Sequence, residues 1–101
     1  MKICKTHQVD KGDTQSGNYD FQYEYHLYEF SENGQKLIAR SYLDETQEAH
    51  LIRLERDGDY IPCHQVLNDD LVIKAVEHLR GDGNSLINYL DENELYVELN
   101  D

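Results

Sequence analysis

The chain has 101 residues, 9 of them Lys or Arg and 21 Asp or Glu, for a formal net charge of −12. A field of that sign repels nucleic acids and anionic lipid surfaces and favours a basic partner or a cation, so neither direct nucleic-acid binding nor membrane association is expected. At this length a single domain with a modest core is expected, and a hydrophobic content of 39% with eight Tyr and two Phe argues against disorder.

Residues 2–9 (KICKTHQV) place Ile3 and Val9 on one side and read as a first strand, followed by a polar, glycine-bearing connection over 11–18. From Tyr19 the odd positions are Tyr19, Phe21, Tyr23, Tyr25 and Leu27, and the even ones Asp20, Gln22, Glu24 and His26. Such strict alternation predicts a half-buried antiparallel strand with the odd positions facing the core. At Tyr28 and Phe30 the apolar character changes side, which requires either a bulge or cover on the second face. Asn33-Gly34 is the sequence of a two-residue hairpin turn, because a type I′ turn needs positive φ at both central positions. The strand 35–43 then returns, with Tyr25 opposite Tyr42 and Phe30 opposite Leu37, so the hairpin spans about 19–43.

Residues 44–57 fit two readings. A helix would be capped by Asp44 and ended by Gly58; a strand at 49–55 would place Leu51-Ile52-Arg53-Leu54 in a doubly buried position and turn at Asp57-Gly58. The strand is preferred. A connection over 59–68 contains Pro62, after which Asn68 or Asp69 caps a helix running over 69–80. Its inward stripe is Val72, Ala75, Val76 and Leu79, and Gly81 ends it. Asp82-Gly83-Asn84 is a turn, Ser85 to Leu90 reads as one or two helical turns, and 94–99 reads as a closing strand with Leu95, Val97 and Leu99 on one face. The whole is an α+β domain, a mostly antiparallel sheet with a helix packed on one face.

No segment approaches the ~20 apolar residues of a membrane span, and Met1-Lys2-Ile3-Cys4 lacks a signal peptide's apolar stretch, so a soluble cytoplasmic protein is the expectation. Cys4 and Cys63 lack C-x-x-C spacing and read as free thiols. Cys4-x-x-His7 with Cys63-His64 is the one set resembling a zinc site, but adjacent residues seldom bind one ion, and no metal or cofactor is expected. Asp57-Gly58-Asp59 and Asp82-Gly83-Asn84 do not continue as a calcium loop. His7, His26, His50, His64 and His78 stand in no nucleophile motif, and His78 is expected on the solvated side of its helix.

The remaining signal is charge. Residues 1–40 carry 5 basic and 6 acidic side chains, residues 41–101 carry 4 and 15, and after Arg80 there are six acids and no base. The expectation is a non-enzymatic acidic module that docks a basic protein, of the inhibitor, immunity-protein or DNA-mimic kind, through Asp82, Asp91, Glu92, Glu94, Glu98 and Asp101 with Tyr28 and Tyr96. Two other readings are a small enzyme or ligand-binding domain using His26, His50 or His64, and a homo-oligomer, such as a homodimer, formed by strand pairing.

Overall fold

The computed structural model describes residues 1–13 and 20–99, with the side chains of 10–13 and 20–22 outside that description. Seven strands form one sheet against which a single helix packs. The strands are β1 (Lys2–Asp13), β2 (Asp20–Glu32), β3 (Gln35–Tyr42), β4 (Glu48–Arg56), β5 (Asp59–Ile61), β6 (Leu86–Leu90) and β7 (Tyr96–Glu98), and α1 spans Asp70–Gly81. The spatial order is β1-β2-β3-β4-β6-β7, with β5 paired to the other half of the β4 edge that β6 occupies. Every pairing is antiparallel except β4 with β6. The α+β arrangement read from the sequence is the one observed.

The β2–β3 hairpin forms as expected. Asn33 and Gly34 have φ of 50° and 78°, the two positive values that a I′ turn demands. The register places Tyr25 opposite Tyr42 and Phe30 opposite Leu37. The face assignment of β2 is different from expectation. Pairing runs through β2 without a bulge, and it is the even positions Tyr28 and Phe30 that are buried, at 1% and 0% exposure. The odd-position ladder at Tyr23, Tyr25 and Leu27 lies on the opposite side of the sheet. Alternation correctly reports that two faces differ but cannot say which one the helix covers. Tyr19 lies outside the described residues.

The segment 48–56 is a strand, with its irregularity explained by a bulge. Ile38 pairs with Arg53 and Ala39 with Leu51, leaving Ile52 as the extra residue. The insertion brings Leu51 and Leu54, three apart, onto the same buried face, which is why this stretch also resembled a helix. Asp57 and Gly58 have φ of 52° and 85° and turn the chain into β5, an addition to what had read as plain connection. In α1 the Asp69 carboxylate accepts from Leu71 N at 3.1 Å, while His78 and Arg80 occupy the last turn, where a positive charge meets the negative end of the helix dipole. The chain leaves the helix through Gly83 at φ 102°, with Asn84 N donating to Leu79 O at 2.9 Å.

Two expectations near the C-terminus are corrected. Residues 86–90 are a strand, not helical turns: Ile87 opposes Ala49 in the parallel pair with β4 and is fully buried. A short strand that packs in the interior carries no clear period, so tertiary contact decides its state. The closing strand is confined to Tyr96–Glu98, because Asp91 Oδ1 accepts from Asn93 N and Leu95 N and holds 91–95 in a turn. Leu95 is therefore 64% exposed rather than inward, while Leu99 packs against the core.

The core lies between the sheet and α1. Tyr28, Phe30, Leu37, Ala39, Leu51, Leu54 and Ile87 meet Leu71, Val72, Ala75, Val76 and Leu79, with Cys63 at the margin. Among the described residues no helix is long and apolar enough to cross a membrane.

Candidate functional site

Because α1 covers one face, the side chains that pair across the strands toward the other face form a continuous surface. Leu27, Arg40, His50, Asn88 and Glu98 occupy successive register positions from β2 to β7, and residues two apart along a strand share their face. Tyr25, Tyr42, Glu48 and Tyr96 therefore belong to the same surface. Its rings meet edge to face: Tyr25–Tyr42 at 5.7 Å, Tyr42–His50 at 6.2 Å and His50–Tyr96 at 5.0 Å between centroids. The Arg40 guanidinium lies 5.4 Å and 5.2 Å from the Tyr25 and Tyr42 centroids, positions at which a cation is attracted by the ring faces. Tyr23 and Tyr96 stay 52% and 58% exposed.

His50 is the centre of this surface at the β4 end. Its side chain is only 12% exposed and Nε2 stands 3.6 Å from Glu48 Oε1. Burial, the larger effect, holds its imidazole below the ordinary histidine range, Glu48 pulling it back upward and Arg40 pushing it further down. Nδ1 is buried with no hydrogen-bond partner. Glu48 also accepts from Asn88 Nδ2 on β6. Glu45 shares a hydrogen bond with Glu48, and that contact together with the repulsion between the two carboxylates raises the Glu45 carboxyl above its usual range. Neither glutamate has a Lys or Arg neighbour within ion-pair distance.

The residues singled out from the sequence fall into three groups. Asp82 and Tyr28 belong to a structural network: Tyr28 Oη donates to Asp82 Oδ2 at 2.6 Å and Lys5 Nζ donates to the same oxygen at 2.9 Å. Tyr28, buried in the core, has no surface to offer a partner, which corrects its assignment as a contact residue. The Tyr28 hydroxyl holds the Asp82 carboxyl below its usual range, with Lys5 adding to the effect. Asp91 is committed to its turn. Glu92, Glu94, Glu98 and Tyr96 are exposed, and Asp101 lies outside the described residues.

The two cysteine–histidine pairs do not converge. Cys4 is exposed on the edge strand while Cys63 is buried, and His7 Nε2 instead meets Glu24 at 3.2 Å. His78, expected in solvent, is half-buried with its ring edge-on to Phe30 at 5.6 Å. Burial of Cys63 pushes its thiol up to about 12. Among the described residues, the group of metal-ligating side chains that does converge is Glu45, Glu48 and His50. Sequence reasoning named His50 but not the glutamates; the Glu48-x-His50 spacing, which puts both side chains on one face of a strand, was the available signal.

Basic side chains are largely consumed inside the molecule. Lys5 serves Asp82, Lys36 Glu29, Arg53 Glu55, Arg56 Asp69 and Lys74 Glu32. Asp44, Glu45, Asp57, Asp59, Glu92, Glu94 and Glu98 have no such partner among the described residues. Two open grooves, of about 580 and 510 Å³, are lined by Tyr23, Glu24, Leu43 and Asp44 and by the turns at Asn33-Gly34 and Asp57-Gly58. Neither contains a histidine. No protein-family model matches the chain, and no curated protein or solved structure is detectably similar to it.

Proposed function

We propose that the protein is a non-enzymatic acidic interaction module that docks a basic protein on the helix-free face of its sheet, around β4, β6 and β7. The observation that carries this reading is the coincidence, on one uncovered face, of exposed Tyr96 with Glu98 and with Glu45 and Glu48, which have no Lys or Arg partner among the described residues. Tyrosine offers a large contact area at small entropic cost, and surrounding carboxylates favour and orient a cationic partner. An inhibitor that covers the cationic groove of a basic enzyme, or a mimic of DNA's phosphate charge, is the form of partner recognition this chemistry suits. A cytoplasmic setting accompanies the proposal, in keeping with two free thiols.

The test is binding to immobilised basic proteins at about 50 mM and about 300 mM salt, since charge-driven contacts weaken as the screening length shortens. The wild type should be retained at low salt and released at high salt. A variant with Glu92→Lys, Glu94→Lys and Glu98→Lys should lose retention at least tenfold. Equal retention of the two proteins at low salt refutes the proposal.

A further inference from the structure

We infer that β1 pairs with β1 of a second copy of the chain, antiparallel about a two-fold axis at Thr6, so that two sheets join edge to edge in a homodimer. The first observation is the edge itself. β1 runs over Lys2–Asp13, and among the described residues β2 is its sole strand partner. Its register with β2 is continuous from end to end, with no bulge, and the chain's one proline is Pro62. The helix packs on β2, β3 and β6, and residues 1–7 are all exposed. A long straight edge presents a row of backbone N–H and C=O groups, which proteins ordinarily blunt with a bulge, a proline, a cover or lysines. Only the lysines are present here, and Lys5 is drawn off to Asp82 at 2.9 Å.

The second observation is that β1 complements itself. A two-fold axis normal to the sheet keeps both helices on one side, so opposed residues share a face and the axis falls on a residue. An axis at Lys5 sets two lysines against each other, and one at His7 sets Lys5 against Val9. The axis at Thr6 opposes Thr6 to itself, Cys4 to Gln8, and Ile3 to Val9. Ile3 and Val9 are exposed apolar side chains, and apolar and threonine pairs of this kind stabilise a sheet. Gln8 Nε2 donates to Thr6 Oγ1 at 3.1 Å, which leaves the Thr6 hydroxyl proton to be given across the axis. Lys5 falls opposite His7, each beside its own carboxylate, Asp82 at 2.9 Å and Glu24 at 3.2 Å. Lys2 falls at the register position opposite Asp10.

Charge selects this edge for a second copy. Residues 1–9 contain Lys2 and Lys5 and no acid, in a chain whose net charge is −12. The acids Glu45, Glu48, Glu92, Glu94 and Glu98 lie from the entrance of β4 onward, three or more strands away. Joining at β1 sends these two acidic regions to opposite ends of one continuous sheet. At about 4.8 Å per strand the two copies of β7 stand about 50 Å apart, far beyond the about 8 Å screening length of physiological salt. The other edge, β7, spans only Tyr96–Glu98 and follows Glu92 and Glu94, so self-pairing there would bring like charges together.

The experiment is sedimentation velocity of the full chain with a thiol reductant in about 150 mM salt, from about 5 to about 200 µM. The mass should rise with concentration from the 11.9 kDa of one chain toward twice that value. Thr6 is exposed, so Thr6→Lys places like charges on the axis without threatening the fold, which far-UV circular dichroism checks. It should weaken association at least tenfold. Cross-linking reads the register. Opposed Cα atoms of an antiparallel pair stand about 4.5–5.5 Å apart, within disulfide reach, whereas Cys4 and its symmetry mate are offset by about 13 Å. With copper(II) phenanthroline as oxidant, Cys4→Ser/Thr6→Cys should form a covalent dimer at least tenfold faster than the wild type. A monomeric mass at every concentration would leave the edge to a strand of another protein and overturns the dimer, as does association undiminished by Thr6→Lys. Cross-linking no faster in Cys4→Ser/Thr6→Cys than in the wild type overturns the axis at Thr6.

Discussion

Removal of the Asp82 carboxylate separates a structural role from a contact role for this residue. Its Oδ2 accepts from Tyr28 Oη at 2.6 Å and from Lys5 Nζ at 2.9 Å, and the Tyr28 ring is 1% exposed, so its hydroxyl cannot swing freely into solvent. A hydrogen bond to an ionised acceptor contributes about 1.5–3 kcal/mol. The Asp82 side chain is 37% exposed, so water competes and the lower end applies, about 1–2 kcal/mol, with the exposed Lys5 pair adding at most about 0.5 kcal/mol. Asp82→Ala should therefore lower the melting temperature by roughly 4–20 °C, at the about 4–8 °C per kcal/mol typical of domains of this size. The double variant Tyr28→Phe/Asp82→Ala should be less destabilised than the two single effects added together, by about 1 kcal/mol. The pH dependence has a definite sign. The folded carboxyl is held below its ordinary value, so the stabilisation is complete above about pH 4 and is lost as pH falls through the folded value. Thermal melts and urea unfolding, both followed by far-UV circular dichroism, measure all of this, since the chain has no Trp. A penalty below about 0.5 kcal/mol at pH 7, or one equally large at pH 7 and pH 3, would refute the reasoning.

The face assignment of β2 predicts opposite outcomes at neighbouring positions. Phe30→Ala, at a fully buried site, should cost about 3–5 kcal/mol in chemical denaturation, whereas Tyr23→Ala, at 52% exposure, should change stability by less than about 0.5 kcal/mol; comparable losses would mean the odd-position ladder is core after all. The cysteines should differ in the same manner. Cys4, exposed, should react with a disulfide reagent near pH 8 in the native protein, while Cys63, its thiol pushed up to about 12 by burial, should react only on unfolding; two fast-reacting thiols in the native state would contradict its burial.

Local chemistry made much of this fold readable. The Asn33-Gly34 turn, the Asp69 cap and the stripe Val72, Ala75, Val76, Leu79 are each set by neighbours in sequence, through backbone sterics or helical spacing, and all three appear where expected. The misreadings lie where a distant contact decides. Residues 86–90 are a strand because β4 supplies parallel hydrogen-bond partners from about forty positions earlier in the chain. The burial of Tyr28 rather than Tyr25 depends on which side α1 settles, and that is a property of the packed layers. The same reason hid Glu45 and Asn88 from the sequence reading of the His50 site. They reach it from a loop and from a strand that sequence could not place beside β4, whereas Glu48 was signalled by its spacing alone.

Charge carries the functional reading. The excess of acids in a folded chain need not concentrate, because each can draw a lysine or arginine to itself. Here, however, Lys5, Lys36, Arg56 and Lys74 are engaged with acids of β2, α1 and their immediate flanks, and Arg40 is held by Tyr25 and Tyr42. Glu45 and Glu48 at the start of β4, and Glu92, Glu94 and Glu98 beyond β6, are left without a Lys or Arg partner among the described residues. Bringing like charges together in this way destabilises the compact state, a cost that a basic partner would relieve. If the surplus serves only solubility, neutralising Glu45 and Glu48 together as glutamines should stabilise the protein and leave binding of basic proteins untouched. If it serves recognition, the same double substitution should raise the melting temperature while weakening retention on a basic protein.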